Sequence, residues 1–190
     1  MVDYFATFNG NKIIINDFKE EDILLDDIAH HLANIKRYGG AQPLNTTYSV
    51  AQHCLVMAEY FLKVYADEEM AKLALLHDAS EAYLGDIVSG LKGYLPDYAT
   101  IESRFQSVIQ CKYGLWPDNK KYMHVKALDK GIIVNEVRAI FPINQWNIWL
   151  GGKQRKNKGV MGIHINPFRC PVDVKKDYLE MCDRLGIKDE

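Results

Sequence analysis

Cysteine is scarce in this chain, and its four cysteines lie far apart. They stand at positions 54, 111, 170 and 182, so no pair has the C-x-x-C spacing of zinc ribbons and redox motifs. Four cysteines in 190 residues also fall short of the disulfide density of small secreted domains. The sequence therefore argues against a thiolate zinc site and predicts a protein of a reducing compartment.

Long apolar runs are also missing. No stretch approaches the roughly 20 apolar residues that a membrane-spanning helix needs. Residues 1–5 contain neither the basic segment nor the apolar segment of a secretory signal. From these absences we predict a cytoplasmic protein that does not interact with a membrane.

The chain has little excess charge of either sign. Lys and Arg number 23 and Asp and Glu number 25, which gives a net charge of −2. Such a chain lacks the basic surface that duplex nucleic acid requires, whereas a few local cations are enough for a small anionic ligand. With 48% hydrophobic and 25% charged residues, the composition is that of an ordinary globular protein. The length favours a single domain over residues 1–190.

Hydrophobic periodicity predicts a mostly helical chain behind a short hairpin. Two extended segments, residues 4–8 and 12–15, flank an Asn-Gly turn that is typical of a β-hairpin. Helices are predicted over residues 22–37, 49–65, 67–84, 97–114, 119–141 and 171–186. Asp67 is the expected N-cap of the third helix. We therefore predict an all-α bundle with a small N-terminal β-hairpin.

Polar side chains occupy helix positions that the apolar pattern assigns to the core. His53 lies on a predicted helix with almost no polar side, and His77 lies on the apolar face of the next helix. Asp129 is flanked by apolar residues on its own helical face, and Asp78 directly follows His77. Burying an unpaired carboxylate costs several kcal/mol, so these side chains need partners or a metal ion.

One divalent cation would compensate for the burial of all four groups. Imidazole nitrogen and carboxylate oxygen suit Zn, Mn, Co, Fe or Ni, and the sequence does not distinguish among these ions. Glu81 follows His77 by four residues on the same predicted helix, within reach of a metal-bound water. Taken singly, a buried His is more often a hydrogen-bonded core residue and a buried Asp a cap or ion-pair partner. Their coincidence on three predicted helices favours the metal.

The order of these residues resembles the H…HD…D signature of the HD-domain phosphohydrolases. Segments 48–53, 75–87 and 125–129 are similar to the nucleotidase branch, which includes bacterial 5′-deoxynucleotidases and phage dATP triphosphohydrolases. The resemblance implies an HD-domain helical bundle with one metal ion held by four ligands: His53, His77, Asp78 and Asp129. Two-metal HD phosphodiesterases need further histidines before the last aspartate. Here that interval contains a single histidine, His124, off the helical face of the aspartate.

The resemblance also implies roles around the metal. Glu81 matches the catalytic glutamate of the family, and Asp86 matches an aspartate of its substrate pocket. Tyr38 stands where the family often has a tryptophan near the sugar. Four residues are expected to contact the substrate: Arg37, Tyr38, Lys92 and Lys126.

These residues together predict a metal-dependent phosphohydrolase that acts on (deoxy)nucleoside 5′-phosphates by attack of a metal-bound water on phosphorus. Both a 5′-deoxynucleotidase and a dNTP or dATP triphosphohydrolase fit, in a bacterial cytoplasm or, for a phage protein, that of its host. Self-association into a homo-oligomer is expected from the family. The alternative is a catalytically silent, metal-stabilised nucleotide-binding module, against which the retention of Glu81 argues.

Overall fold

The computed structural model describes residues 4–116, 118–154 and 158–189 of the chain. Within these residues the fold is mostly helical, with a two-stranded antiparallel hairpin at the N-terminus. This arrangement confirms the predicted all-α class with its small β element. The assignment of residues 1–190 to a single domain stays a prediction.

Two strands form the hairpin: β1 (Tyr4–Ala6) and β2 (Lys12–Ile14). Gly10 in the turn has a φ of 82°, a left-handed conformation that glycine adopts without a steric cost. The strands are shorter than predicted because the residues near the turn bond to each other instead of extending the ladder. The Thr7 amide donates to the Asn11 carbonyl at 2.9 Å, and the Gly10 amide donates to the Thr7 carbonyl at 3.0 Å.

The helices, in chain order, are α1 (Leu25–Asn34), α2 (Val50–Tyr60), α3 (Glu68–Leu76), α4 (Glu81–Leu84), α5 (Ser89–Lys92), α6 (Pro96–Lys112), α7 (Asn119–Ile140), α8 (Trp146–Gln154) and α9 (Pro171–Arg184). A π-helical turn continues α2 through Phe61–Tyr65. In the part of the chain that the structure describes, no helix combines the length and the apolar character that crossing a membrane requires.

Helix α2 lies at the centre of the molecule and packs against α1, α3, α7 and α9. It begins at a capping box, in which the Ser49 side chain accepts from the Gln52 amide and the Gln52 side chain accepts from the Ser49 amide. Its residues are buried almost throughout, as the nearly continuous apolar sequence predicted. A polar side chain on this helix, such as that of His53, is therefore held inside the core.

The predicted continuous helix over residues 67–84 is wrong, because a turn at residues 77–80 separates α3 from α4. In an unbroken α-helix, the Ser80 amide would donate to the Leu76 carbonyl. The Gln106 side chain of α6 instead stands between these two groups. Its Nε2 donates to the Leu76 carbonyl at 2.8 Å, and its Oε1 accepts from the Ser80 amide at 3.1 Å. A side chain inserted into the hydrogen-bond ladder accounts for the break.

Candidate metal centre

Three helices bring the four candidate metal ligands together. His53 lies in the first turn of α2, His77 caps the C-terminus of α3, Asp78 lies in the turn that follows, and Asp129 lies in the middle of α7. Because of the break after α3, His77 and Asp78 do not share a continuous helical face with Glu81, contrary to the predicted register. The turn nevertheless directs the Asp78 carboxylate towards both histidines.

The ligand atoms of these side chains converge. His53 Nε2 lies 3.2 Å from Asp129 Oδ1, and His77 Nε2 lies 3.1 Å from Asp78 Oδ2. The two crossed distances, from His53 Nε2 to Asp78 Oδ2 and from His77 Nε2 to Asp129 Oδ1, are both 4.0 Å. The buried group of His53, His77 and Asp129 could therefore hold a metal ion, since its ligand atoms lie within 4.8 Å of one another.

Both imidazoles present a nitrogen with the character of a metal ligand. Among the described residues, His53 Nε2 and His77 Nε2 are buried without a hydrogen-bond partner of suitable geometry. Their opposite nitrogens are engaged: His77 Nδ1 lies 2.8 Å from the Ala74 carbonyl, and His53 Nδ1 lies 2.6 Å from Glu136 Oε1. Because a carbonyl or carboxylate oxygen accepts, each Nδ1 carries the proton, as is usual for metal-binding histidines. These residues thus fit a cation.

The charges of the site favour a cation as well. Burial opposes ionisation of Asp78, but His77, His53 and Arg37 hold its pKa below the ordinary value. Burial likewise opposes a charge on His77, yet the adjacent Asp78 raises the pKa of His77. The carboxylates thus favour a positive charge between the two histidines, and a bound metal ion would supply one.

Cys54 is a further neighbour of the histidines, and no sequence pattern distinguishes it from the other cysteines. Cys54, His77 and Asp78 form a second group whose ligand atoms lie close together. The Cys54 Sγ lies 3.9 Å from His77 Nδ1, which is not the ring nitrogen that faces Asp129. Burial raises the pKa of the Cys54 thiol. A neutral thiol is a weak ligand, so the carboxylates remain the better partners for the imidazoles.

Glu136 is a buried carboxylate that the sequence analysis missed. It lies on α7, and Arg37 Nη2 approaches its Oε2 at 3.3 Å. Burial opposes its ionisation, but Arg37 and His53 keep its pKa below the ordinary value, so it is an anion. The available signal was its position, because residue 136 follows Asp129 by two helical turns and lies on the same inward face.

Arg37 and Tyr38 follow α1 and lie beside the centre. Arg37 Nη1 is 3.8 Å from Asp78 Oδ2. Tyr38 has a φ of 62°, which is unusual for a bulky residue and costs about 1–3 kcal/mol. This conformation is stabilised by edge-to-face contacts of its ring with Phe141 and Trp149, at centroid distances of 5.2 and 5.4 Å. The strained backbone thus holds the Tyr38 ring against these two side chains, with its hydroxyl 2.7 Å from the buried Glu136 Oε2.

Glu81, Asp86 and Lys92 form a second charged group next to the centre. Burial, followed by the charges of Asp78 and Asp86, raises the pKa of Glu81 to about 8. Lys92 Nζ lies 3.3 Å from Glu81 Oε1 and 2.7 Å from Glu102 Oε1. Burial also raises the pKa of Asp86. The Glu81 carboxyl therefore keeps its proton to a far higher pH than an exposed glutamate does.

A cavity of about 400 Å³ opens over this group and exposes most of the predicted site. Its polar lining comprises Arg37, Tyr38, Asp78, Glu81, Asp86, Ser89, Lys92, Lys126 and Asp129. Its apolar lining comprises Ile87, Val88, Ile133 and Trp149. A second cavity, of about 440 Å³, shares Asp78, Lys92 and Lys126 with the first. The structure thus places the predicted catalytic and substrate-contacting residues around one opening, with His53 buried beneath it.

The chain is similar to two curated bacterial proteins, and no protein-family model matches it. YfdR of Escherichia coli (strain K12), an uncharacterized protein, is 40% identical over 114 residues, which cover 60% of this chain and 60% of YfdR. An uncharacterized protein of Rhodobacter capsulatus is 33% identical over 110 residues, 56% of each chain. The chain thus spans about three fifths of the length of the curated relatives that it matches.

Proposed function

We propose that this chain is an HD-domain, metal-dependent phosphohydrolase that acts on nucleoside 5′-phosphates. The observation that carries the proposal is the pair of buried nitrogens, His53 Nε2 and His77 Nε2, which face carboxylates without hydrogen bonding to them. A cavity whose lining includes Arg37, Lys126 and Trp149 opens next to them. A cation site beside a cavity that suits both an anion and a nucleoside supports hydrolysis of a phosphate ester.

One divalent cation would be held by four side chains: His53, His77, Asp78 and Asp129. When bound, such a cation acts as a Lewis acid that polarises a phosphoryl oxygen and makes nearby water more acidic. This donor set of nitrogens and carboxylate oxygens suits Zn, Mn, Co, Fe or Ni. The remaining chemistry belongs to the side chains around the cavity.

Glu81 is the residue best suited to move a proton. Its pKa of about 8 lies near the working pH of most enzymes, where a carboxyl can both accept and return a proton. Its Oε2 is buried and, within the described part of the chain, has no hydrogen-bond partner. In the proposed reaction, Glu81 Oε2 takes a proton from the attacking water and returns it to the leaving oxygen of the nucleoside.

The cavity would bind the two parts of a nucleotide on different walls. Arg37, partly exposed beside Asp78, would orient the phosphoryl group, and Lys126 would add a second positive charge. The nucleoside would lie against the apolar wall that includes Trp149 and the strained Tyr38. Positioning of this kind lowers the barrier by fixing the reacting atoms in place.

The ion pairs of Lys92 favour a monophosphate over a triphosphate. Its Nζ already lies within 3.3 Å of Glu81 and 2.7 Å of Glu102. A longer phosphate chain would have to compete with both carboxylates for this cation, and each further phosphate adds negative charge near Asp78 and Asp86. A single phosphate needs only Arg37 and Lys126. We therefore propose a nucleoside 5′-monophosphate as the preferred substrate.

The proposal is tested by a panel of ribo- and deoxyribonucleoside mono- and triphosphates, each assayed with Mn²⁺, Co²⁺ or Zn²⁺ and with EDTA. Release of inorganic phosphate from monophosphates, dependent on a metal ion and lost with EDTA, is the expected result. Metal-dependent nucleotide binding without turnover of any member would support the silent binding module instead. A chain that binds no divalent ion would contradict the proposal altogether.

A cytoplasmic location and self-association stay predictions. The mass of the purified chain in solution, measured by light scattering after size exclusion, tests the second of them. A mass that is a multiple of 21.8 kDa is expected. A mass equal to one chain at micromolar concentration would contradict it.

A further inference from the structure

Glu136 has no part among the proposed metal ligands or substrate contacts, yet it is the most completely enclosed carboxylate near the centre. Its exposed fraction is 0%, and it lies on α7 two turns beyond Asp129. An ionised carboxylate in such surroundings costs several kcal/mol unless its oxygens are fully bonded. The negative charge of Glu136 therefore requires donors at both of its oxygens.

Both oxygens of Glu136 are saturated by donors from other parts of the chain. Oε1 lies 2.6 Å from His53 Nδ1 and accepts from the Tyr48 hydroxyl at 3.0 Å. Oε2 accepts from the Tyr38 hydroxyl at 2.7 Å and lies 3.3 Å from Arg37 Nη2. One oxygen therefore contacts a proposed metal ligand, and the other contacts two residues that line the cavity.

We propose that Glu136 is a positioning residue that fixes the metal-binding tautomer of His53 and, through its other oxygen, holds Arg37 and Tyr38 at the cavity wall. An ionised carboxylate can only accept, so the proton of the His53 ring stays on Nδ1 and Nε2 keeps its lone pair for the cation. The same anion anchors Arg37, which limits the positions of the guanidinium group. The part that concerns the substrate rests on the proposed function, and the part that concerns the metal does not require catalysis.

The test compares Glu136→Gln with the wild-type chain and with Glu59→Gln. The amide preserves the shape of the side chain but removes its charge and one acceptor. Glu59 is an exposed carboxylate on α2 that pairs with Lys63, so its variant controls for the loss of a negative charge. Competition with a chromophoric chelator gives the affinity of each full-length chain for Co²⁺. We expect about 10- to 100-fold weaker binding for Glu136→Gln and no change for Glu59→Gln.

A second measurement is independent of whether the variant folds. In the Zn²⁺-bound wild-type chain labelled with ¹⁵N, His53 is expected to show a protonated Nδ1 with a slowly exchanging proton and a metal-bound Nε2. Metal binding through Nε2 alone would leave the proton on Nδ1, so the slow exchange of that proton is the sign that Glu136 holds it. Unchanged Co²⁺ affinity in a folded Glu136→Gln chain, or an unprotonated Nδ1 in the wild type, would overturn the proposal.

The hydrolysis assay separates this inference from the proposed function. If the wild type hydrolyses nucleoside monophosphates, Glu136→Gln should also raise KM, because Arg37 loses its anchor. If the wild type hydrolyses no phosphate ester, the Co²⁺ and ¹⁵N measurements still decide the role of Glu136 at the metal centre.

Discussion

Replacing Gln106 with leucine should either destabilise the chain or weaken its metal centre, although Gln106 is not a candidate ligand. The Gln106 amide now satisfies the Leu76 carbonyl and the Ser80 amide, at 2.8 and 3.1 Å, and both residues are buried. Leucine has a similar volume and cannot form either bond. Two outcomes are physically open to the turn between α3 and α4, and each has a measurable consequence.

If the turn keeps its shape, the Ser80 amide loses its partner, whereas the Leu76 carbonyl keeps its hydrogen bond from the Ala79 amide at 3.2 Å. One stranded buried amide costs about 1–3 kcal/mol, so the free energy of unfolding should fall by about that amount. If the turn instead becomes α-helical and joins α3 to α4, the Ser80 amide can bond to the Leu76 carbonyl, and much of the lost stability is recovered. This change to a continuous helix, however, would rotate Asp78 away from His53, and the affinity for Co²⁺ should then fall by about tenfold.

The assays are urea denaturation in EDTA, which gives the free energy of unfolding, and chelator competition for Co²⁺. Gln110→Leu is the matched control, because Gln110 lies one turn further along α6, lines the same second cavity and makes neither of these bonds. A Gln106→Leu chain with both wild-type stability and wild-type Co²⁺ affinity would refute the reasoning about the inserted side chain.

Three further predictions concern individual groups. Glu81→Gln should keep its Co²⁺ affinity but lose at least about 100-fold in turnover of a nucleoside monophosphate, and an unchanged rate would remove Glu81 from the mechanism. His77→Ala should lose metal binding, so full Co²⁺ occupancy in that variant would contradict the ligand assignment. The raised pKa of Glu81 also predicts that stability depends on pH. Burial, Asp78 and Asp86 raise this pKa from 4.5 to about 8 in the folded chain. The protonated carboxyl therefore contributes its full stabilisation below pH 4.5, and this contribution is lost as the pH rises to 8. In EDTA, wild-type stability relative to Glu81→Gln should therefore decline across this interval, and parallel curves would argue against the raised pKa.

The sequence was a good guide where a local pattern determines the structure. The turn at Gly10 and the apolar sequence of α2 predicted the hairpin and the central helix, and both are present. Asp67 is the N-cap of α3, with its side chain 2.9 Å from the Met70 amide, because this bond joins residues three apart. His53, His77 and Asp129 could be selected for the same reason, since each is a polar residue within an apolar pattern.

Local sequence patterns could not predict the contacts between residues that are distant in the chain. The break after α3 depends on Gln106, which is 30 residues away from Leu76, and nothing in the sequence of α3 itself indicates it. Glu136 was overlooked because its partners Arg37, Tyr38 and Tyr48 are separated from it by about 90 to 100 residues. Glu136 nevertheless lies on the same inward helical face as Asp129, and a carboxylate in that position needs a partner that neutralises its charge.

Helix α7 carries Lys126, Asp129 and Glu136 on one rigid rod, and this makes the intervening segment intolerant of changes in length. Each residue advances an α-helix by about 1.5 Å and turns it by about 100°. A one-residue insertion between Asp129 and Glu136 would turn one carboxylate away from His53 while leaving the composition of the chain almost unchanged. Variation in length should therefore be absent from this stretch of α7 in any functional homologue, even where the loops around it differ.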